Sequence, residues 1–332
     1  MSSPPKKPPF NVIQGRKILV ILGPTASGKS ALAVKLALRL STVQAKKKYG
    51  IRGAEIISAD SRQVYKGLDI GSGKITKKEM GGIPHHLLDV ASPKRTFTVV
   101  EYQKLGARAI EKILQKKKIP IIVGGTGFYI DALIYGWKLP QIKPDSRIRR
   151  ALAAKSAHEL YRTLAQIDPR RAATIDRYNK RRLVRALEII VHTGKPVPRL
   201  RKGGPPYSNV LKNIGIRNSR ILKIGIRIPA EELTRRIKKR LLARIRQGLV
   251  REVKNLRARG VSWRRLEGLG LEYRYVGRYL RGLITKEAML QTLEKEIRNY
   301  AKRQMTWFKK DNQVIWLERP RDALKIAEEF LK

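Results

Sequence analysis

Three features of the sequence predict an α/β protein built on a parallel sheet with helices on its faces. Short, largely apolar runs alternate with amphipathic segments through the first 140 residues. A glycine-rich turn sits at the first junction between such a run and such a segment. A later stretch of about sixty residues loses the strand pattern altogether and reads as helical throughout.

The elements follow in order. Lys17–Leu22 (KILVIL) is apolar on both faces and stops at Gly23, as a buried parallel strand does. Residues 30–40 (SALAVKLALRL) carry apolar side chains at 32, 33, 36, 37 and 40, the spacing of one helix face. Ala54–Ser58 (AEIIS) reads as a second strand, 98–116 as a helix, and 119–123 (IPIIV) as a third strand halted by Gly124 and Gly125. Strand and helix in alternation are the rhythm of a doubly wound sheet.

From 140 to 204 the segments 145–155, 157–166 and 180–193 are arginine-rich amphipathic helices. Residues 194–217 (beginning GKPVPRLRKGGPPYS) read as a connector rich in proline, glycine and cations. A strand pattern returns at 221–228, long helices are expected over 230–259 and 285–309, and a strand at 314–317 precedes a closing helix at 322–331. The division expected is a flexible leader at 1–14, a core formed by 15–139 and 218–332, and a helical insertion with its connector at 140–217.

Composition narrows the function. Apolar residues make up 42%, enough for a real core. Lysine and arginine number 74 against 26 acidic residues, a formal net charge of +48, which points to a polyanionic partner because each cation set against a phosphate releases a counterion. The absence of cysteine excludes disulfides, thiolate metal sites and cysteine nucleophiles. No apolar run approaches a membrane span, and the basic, proline-rich start (MSSPPKKPPF) reads as the leader of a cytoplasmic protein.

The turn itself, Gly23, Pro24, Thr25, Ala26, Ser27, Gly28, Lys29 and Ser30, satisfies G-x-x-x-x-G-K-[ST] in full, with an apolar strand entering and an amphipathic helix leaving. Such a P-loop wraps an anion in backbone amides at a helix N-terminus. Lys29 adds a charge to the outer phosphates, and the Ser30 hydroxyl suits Mg²⁺. The fold expected is therefore P-loop NTPase-like, and a nucleotide such as ATP is one ligand the cradle suits. An ATPase or kinase also brings an acidic strand end to its Mg²⁺. The strand at 119–123 runs instead into Gly124-Gly125-Thr126-Gly127. One carboxylate, Asp60, follows the strand Ala54–Ser58 and meets the cradle where strand ends converge. It reads equally as a base or Mg²⁺ organiser and as a cap for the next turn. His85 and His86, with no cysteine and no other nearby histidine, read as structural.

Taken together, GPTASGKS, SADSRQVYKGLDIGSGK, PHHLLDV, IPIIVGGTGFYIDAL, RRLVRALEI and YAKRQMTWF, in that order, resemble the tRNA dimethylallyltransferases, also called tRNA isopentenyltransferases. The resemblance runs from about Lys17 to Trp316. It implies transfer of a dimethylallyl group from its diphosphate to the exocyclic amine of the adenosine 3′ of a tRNA anticodon, with Mg²⁺, by a monomer. It places Asp60 as the base that orients the amine, Thr126 as a hydroxyl near the diphosphate, and Arg240 as the cation that neutralises the leaving group. Arg236 and Arg240, four apart on one helix, would face the same side. The resemblance assigns tRNA contacts to Asp60, Ser61, Arg62, Gln63 and Thr126 around the target base. Others would come from Arg149, Arg181, Arg182 and Arg185 in the insertion, and from Arg298, Lys302, Arg303 and Gln304 near the end. Two rivals remain at this stage: a small-molecule kinase, which lacks a use for so much positive charge, and an RNA-binding protein with an idle cradle, which intact Lys29, Ser30 and Asp60 oppose.

Overall fold

The computed structural model describes residues 16–200, 220–317, 319 and 321–332; the leader expected at 1–14 and most of the connector fall outside them. Six strands form one parallel sheet: β1 (Lys17–Leu22), β2 (Ala54–Ser58), β3 (His85–His86), β4 (Ile119–Gly124), β5 (Arg220–Ile226) and β6 (Val314–Leu317). Their spatial order is β3-β2-β4-β1-β5-β6. β1 lies between β4 and β5, with Leu19 opposite Ile121 and Leu222. A central strand buried on both faces must be apolar at every position, which is why KILVIL shows no alternation.

The two faces divide by the strand period of two. Ile18, Val20 and Leu22 pack with Tyr102, Ile110 and Ile113 of α4 (Val99–Gln115) and with Ile130 and Leu133 of α5 (Gly127–Tyr135). Leu19 and Ile21 face the other way, onto Leu32, Leu36 and Leu40 of α1 (Lys29–Leu40). Between these elements the chain adds α2 (Val43–Tyr49) and α3 (Lys77–Met80). Full burial of side chains this size contributes about 1.5–3 kcal/mol each, and α4 is capped at its start by a Thr98–Glu101 box.

The compact unit built on this sheet comprises, among the described residues, 16–136 and 220–332; residues 137–200 form a second unit. The second unit holds α6 (Ser146–Ala154), α7 (Ala157–Ile167), α8 (Pro169–Ala172) and α9 (Lys180–Thr193), and no strand among its described residues. Its core is small: Leu160, Leu164, Leu183, Leu187 and Ile190 with Ala172 and Ile175. Glu188 is fully buried there, an uncommon place for a carboxylate, and is held by Arg149 and Arg185.

The long helix expected over 230–259 is two helices, α10 (Ala230–Arg246) and α11 (Leu249–Ala258). Gly248 between them adopts φ +102°, a left-handed conformation that ends one helix and turns the chain into the next. Then come α12 (Trp263–Leu269), α13 (Leu271–Leu280), α14 (Lys286–Phe308) and α15 (Asp322–Leu331). Among the described residues, no helix is long and apolar enough to cross a membrane.

Candidate active site

The site forms where β1, β2 and β4 end. Behind β1, Ala26 (φ +62°) and Gly28 (φ +85°) take left-handed conformations, curling the loop into an anion-sized nest. Gly28 caps α1 without a side-chain hydrogen bond, so the first-turn amides stay open toward the nest. Lys29 folds back, its Nζ donating to the Pro24 carbonyl at 3.0 Å. The loop is pinned from outside by Gln304 of α14. Its Oε1 accepts from the Thr25 amide at 2.8 Å, and its Nε2 donates to the Gly125 carbonyl at 2.8 Å.

β2 and β4 end side by side. The Ala59 amide donates to Val123 and the Thr126 amide to Ala59 (2.7 and 3.1 Å). A Cβ on Gly124 would stand 2.1 Å from the Ala59 carbonyl oxygen, so no larger residue fits this crossing. Thr126 Oγ1 accepts from the Ser61 amide at 3.1 Å and ties the two loops together. Thr126 therefore braces the turn that carries Asp60 and is not part of the wall of the cavity described below. Asp60 Oδ1 caps that turn, accepting from the amides of Arg62 (2.8 Å) and Gln63 (3.3 Å). Among the described residues nothing hydrogen-bonds its other oxygen. The cap and the open carboxylate are thus two ends of one side chain.

The third wall was not evident in the sequence. The turn 69–74 brings Gly73 (φ +59°) against α10, where its carbonyl accepts from Gln63 Nε2 (3.2 Å) and Arg240 Nη2 (3.4 Å). Arg244, one turn further along α10, is buried and paired with Glu272 at 2.7 Å. Arg236 does not join them: it bonds Glu232 on the surface at 2.7 Å. The inward pair on α10 is Arg240 with Arg244, because the packed face of α10 runs through Ile237, Leu241 and Arg244. A signal was present, since 240 and 244 also stand four apart, but only packing says which such pair of a basic helix turns inward.

These groups line a partly open cavity whose wall includes Lys29, Ser30, Asp60, Gly73, Arg240 and Tyr300. Its charge is unbalanced. Burial, then the Arg240 charge, then Arg244 bring Lys29 down to about 8 despite the opposing pull of Asp60. Burial and Arg244 likewise bring Arg240 down to about 10, with Glu272 and Asp60 acting against them. Tyr300, missed as a site residue although YAKRQ contains it, is pushed up to about 12 by burial and by the Asp60 carboxylate, so it stays neutral. Asp60 is the one carboxylate among the lining residues. Crowded cations beside an open helix N-terminus are an arrangement that an entering polyanion relieves.

Of the expected RNA-facing residues, Asp60, Gln63 and Gln304 line this cavity, whereas the expected cationic ones do not. Arg298, Lys302 and Arg303 are exposed on α14, and in the helical unit Arg181 and Arg182 are exposed on α9. Arg149 grips Glu188 through Nε (2.7 Å) and Nη2 (2.9 Å), and Arg185 through Nη1 (2.5 Å), so both have a structural task inside their unit. Gln304 is buried with both amide ends committed to the cradle, and it meets the site from the cavity wall. The histidines are structural, as the sequence suggested: His86 Nε2 meets Glu55 Oε2 at 2.7 Å and His85 Nδ1 meets the Ile83 carbonyl at 2.8 Å. Among the described residues no cluster of three metal-ligating side chains occurs.

Fold and site together define a P-loop-type α/β protein that can hold a polyphosphate beside a single proton acceptor. The model of the IPP transferase family matches residues 63–311, and the chain belongs to that family. It is 38% identical to the tRNA dimethylallyltransferase of Pelotomaculum thermopropionicum, covering 100% of this chain and 98% of that one. It is 40% identical to tRNA dimethylallyltransferase 2 of Citrifermentans bemidjiense, over 95% and 94% of the two chains. Among solved structures, the full-length tRNA isopentenylpyrophosphate transferase of Bacillus halodurans aligns with a TM-score of 0.66 at 34% identity, over 95% of this chain and 97% of that one. A eukaryotic dimethylallyltransferase acting on tRNA shares the fold at 23% identity, with a TM-score of 0.68, over 96% of this chain and 80% of that one.

Proposed function

We propose that this chain transfers the dimethylallyl group of dimethylallyl diphosphate to tRNA, onto the exocyclic amine of the adenosine 3′ of the anticodon, and releases diphosphate. The observation that carries this reading is the pairing of an unbalanced cationic cradle with one open carboxylate in a single cavity. The amine lone pair forms the new C–N bond, the allylic C–O bond breaks, and its electron pair leaves on the diphosphate. Asp60 Oδ2 takes the proton that the amine must lose. Negative charge grows on the departing oxygen, where Lys29, Arg240 and the open amides of α1 would stabilise it. No phosphoryl group moves, consistent with a single carboxylate in the cavity wall.

Mg²⁺ fits this site through Ser30, whose exposed hydroxyl has no hydrogen-bond partner among the described residues. With no carboxylate cluster among the described residues to cage it, the ion would take its remaining ligands from diphosphate oxygens and water, its usual habit. When bound it would offset charge on the diphosphate. Arg181, Arg182, Arg298, Lys302 and Arg303 are the exposed cations that this reading sets against tRNA phosphates, so RNA binding should weaken steeply with salt. A tRNA substrate makes the cytoplasm the expected compartment.

The test is a transfer assay with purified protein, Mg²⁺, labelled dimethylallyl diphosphate and an anticodon stem-loop carrying adenosine 3′ of the anticodon, beside the Asp60→Ala variant. Label in the RNA with wild type and far less with the variant supports the reaction and the role of Asp60. No label, with ATP hydrolysed instead, moves the kinase-like reading to the front.

A further inference from the structure

Behind the third wall of the cavity, one carboxylate gathers an unusual number of donors. Glu252, on α11, accepts from three consecutive backbone amides: Asp69 at 2.9 Å, Ile70 at 2.6 Å and Gly71 at 3.0 Å. Tyr273, buried on α13, donates its hydroxyl proton to the same carboxylate at 2.9 Å, and its oxygen accepts from the fourth amide, Ser72, at 3.1 Å. Four amides in a row, 69 to 72, are thereby anchored to two side chains on α11 and α13. The next residue is Gly73, whose carbonyl meets Arg240 and Gln63. Glu252 itself does not line the cavity. Charge-assisted bonds from backbone amides are the strong kind, and three on one carboxylate fix a loop more firmly than any apolar contact of equal size.

We propose that Glu252, with Tyr273, is a positioning residue: it holds the 69–73 turn so that Gly73 sets the reach of Arg240 toward the leaving diphosphate. This rests on the proposed function, since it names what aims one of that site's cations. Gly73 leaves no slack in the chain of contacts. A Cβ there would lie 2.1 Å from Arg240 Nη2 and 2.0 Å from Arg244 Nη2, so the guanidinium tips rest directly on the backbone that Glu252 anchors. If the turn relaxes, Arg240 loses both its carbonyl partner and its stop.

The experiment is a double-mutant cycle of Glu252→Gln and Arg240→Lys, read in two ways: kcat of dimethylallyl transfer, and affinity for inorganic diphosphate measured without RNA. Gln cannot serve three amides, because one of its ends is itself a donor. A displacement of about 1 Å at a charge-stabilising group costs on the order of 100-fold in turnover, so Glu252→Gln is expected to lower kcat by roughly that factor. Combined with Arg240→Lys it should lower kcat little further, because both changes remove the same interaction. Tyr273→Phe, which releases the Ser72 amide and removes one donor from Glu252 but leaves the carboxylate on its three amides, is the milder partner and decides the matter if Glu252→Gln does not fold; it should couple to Arg240→Lys in the same direction. Additive effects in the cycle, in kcat and in diphosphate affinity alike, overturn the inference and leave Glu252 a stabilising residue only. Wild-type protein that binds diphosphate but transfers nothing overturns the proposed function instead; the positioning role then stands or falls on coupling in diphosphate affinity alone.

Discussion

Replacing Gly73 with alanine should displace two cations without altering either of them. The added Cβ would sit 2.1 Å from Arg240 Nη2 and 2.0 Å from Arg244 Nη2. Non-bonded contacts of this kind settle near 3.5 Å, so each guanidinium tip must withdraw by about 1.4 Å. Arg240 can retreat along a flexible side chain, but Arg244 is buried and paired with Glu272, so its withdrawal strains that ion pair. The backbone adds a second structural cost: φ is +59°, and a residue with a Cβ pays about 1–2 kcal/mol there. The functional cost is greater, since a misplacement of about 1 Å at a charge-stabilising group lowers turnover on the order of 100-fold. Gly282→Ala separates the two effects, because its φ is +69° and its Cβ would meet nothing within 4 Å. The assay is steady-state dimethylallyl transfer with a melting curve for each variant. The expected outcome is a loss of Tm in both variants, larger in Gly73→Ala because it also disturbs the Arg244–Glu272 pair, and a collapse of kcat in Gly73→Ala alone at a temperature where both are folded. A folded Gly73→Ala protein with kcat within about threefold of wild type would refute the assignment of Arg240 to the leaving group.

Three further predictions follow from the same structure. Diphosphate binding needs Lys29 charged, and its pKa is held at about 8, so affinity should fall as pH rises through 8, with proton uptake on binding above that value; calorimetry in buffers of different ionisation heat, with Lys29→Met correcting for the titration of diphosphate itself, checks this, and binding that releases protons contradicts it. Gln304→Leu leaves the Thr25 amide and the Gly125 carbonyl without partners, at about 1–3 kcal/mol apiece, so the urea midpoint and the diphosphate affinity should drop together, and an unchanged midpoint would contradict the pinning of the cradle. Burial alone would raise the Glu188 carboxyl, but hydrogen bonds from Arg149 and Arg185 outweigh it and hold it at about 2 against an ordinary 4.5; the stability it contributes is present above pH 4.5 and lost as pH falls toward 2, so Glu188→Gln should flatten acid unfolding over that window, and coincident acid profiles would count against the ion-pair account.

Much of the frame was legible before any coordinates. β4, and β1 from Ile18 onward, are unbroken runs without a polar side chain, as a strand covered on both faces requires. The nest was legible because its chemistry is local: Gly28, Lys29 and Ser30 act through backbone shape and adjacent side chains, all within eight residues of chain. α10 and α11 were misread as one helix because helical periodicity continues through 247–249, and a single glycine inside a helical pattern is ordinarily tolerated.

What the sequence by itself determined is the class of sheet, the anion-binding nest, Asp60 as the carboxylate beside it, and the family, because each rests on residues that are neighbours along the chain or on motifs in a set order. What only the tertiary structure decided is the far wall of the site. The inward turn of Arg244 instead of Arg236, the seat of Gly73 against two guanidinium tips, and the hold of Glu252 on amides 69 to 71 join segments separated by 167 to 183 residues. On a helix as basic as α10, no periodicity distinguishes a cation in solvent from one against a phosphate cradle. That choice is made by which face finds apolar partners in the core, and packing of that kind is not a property of any one segment.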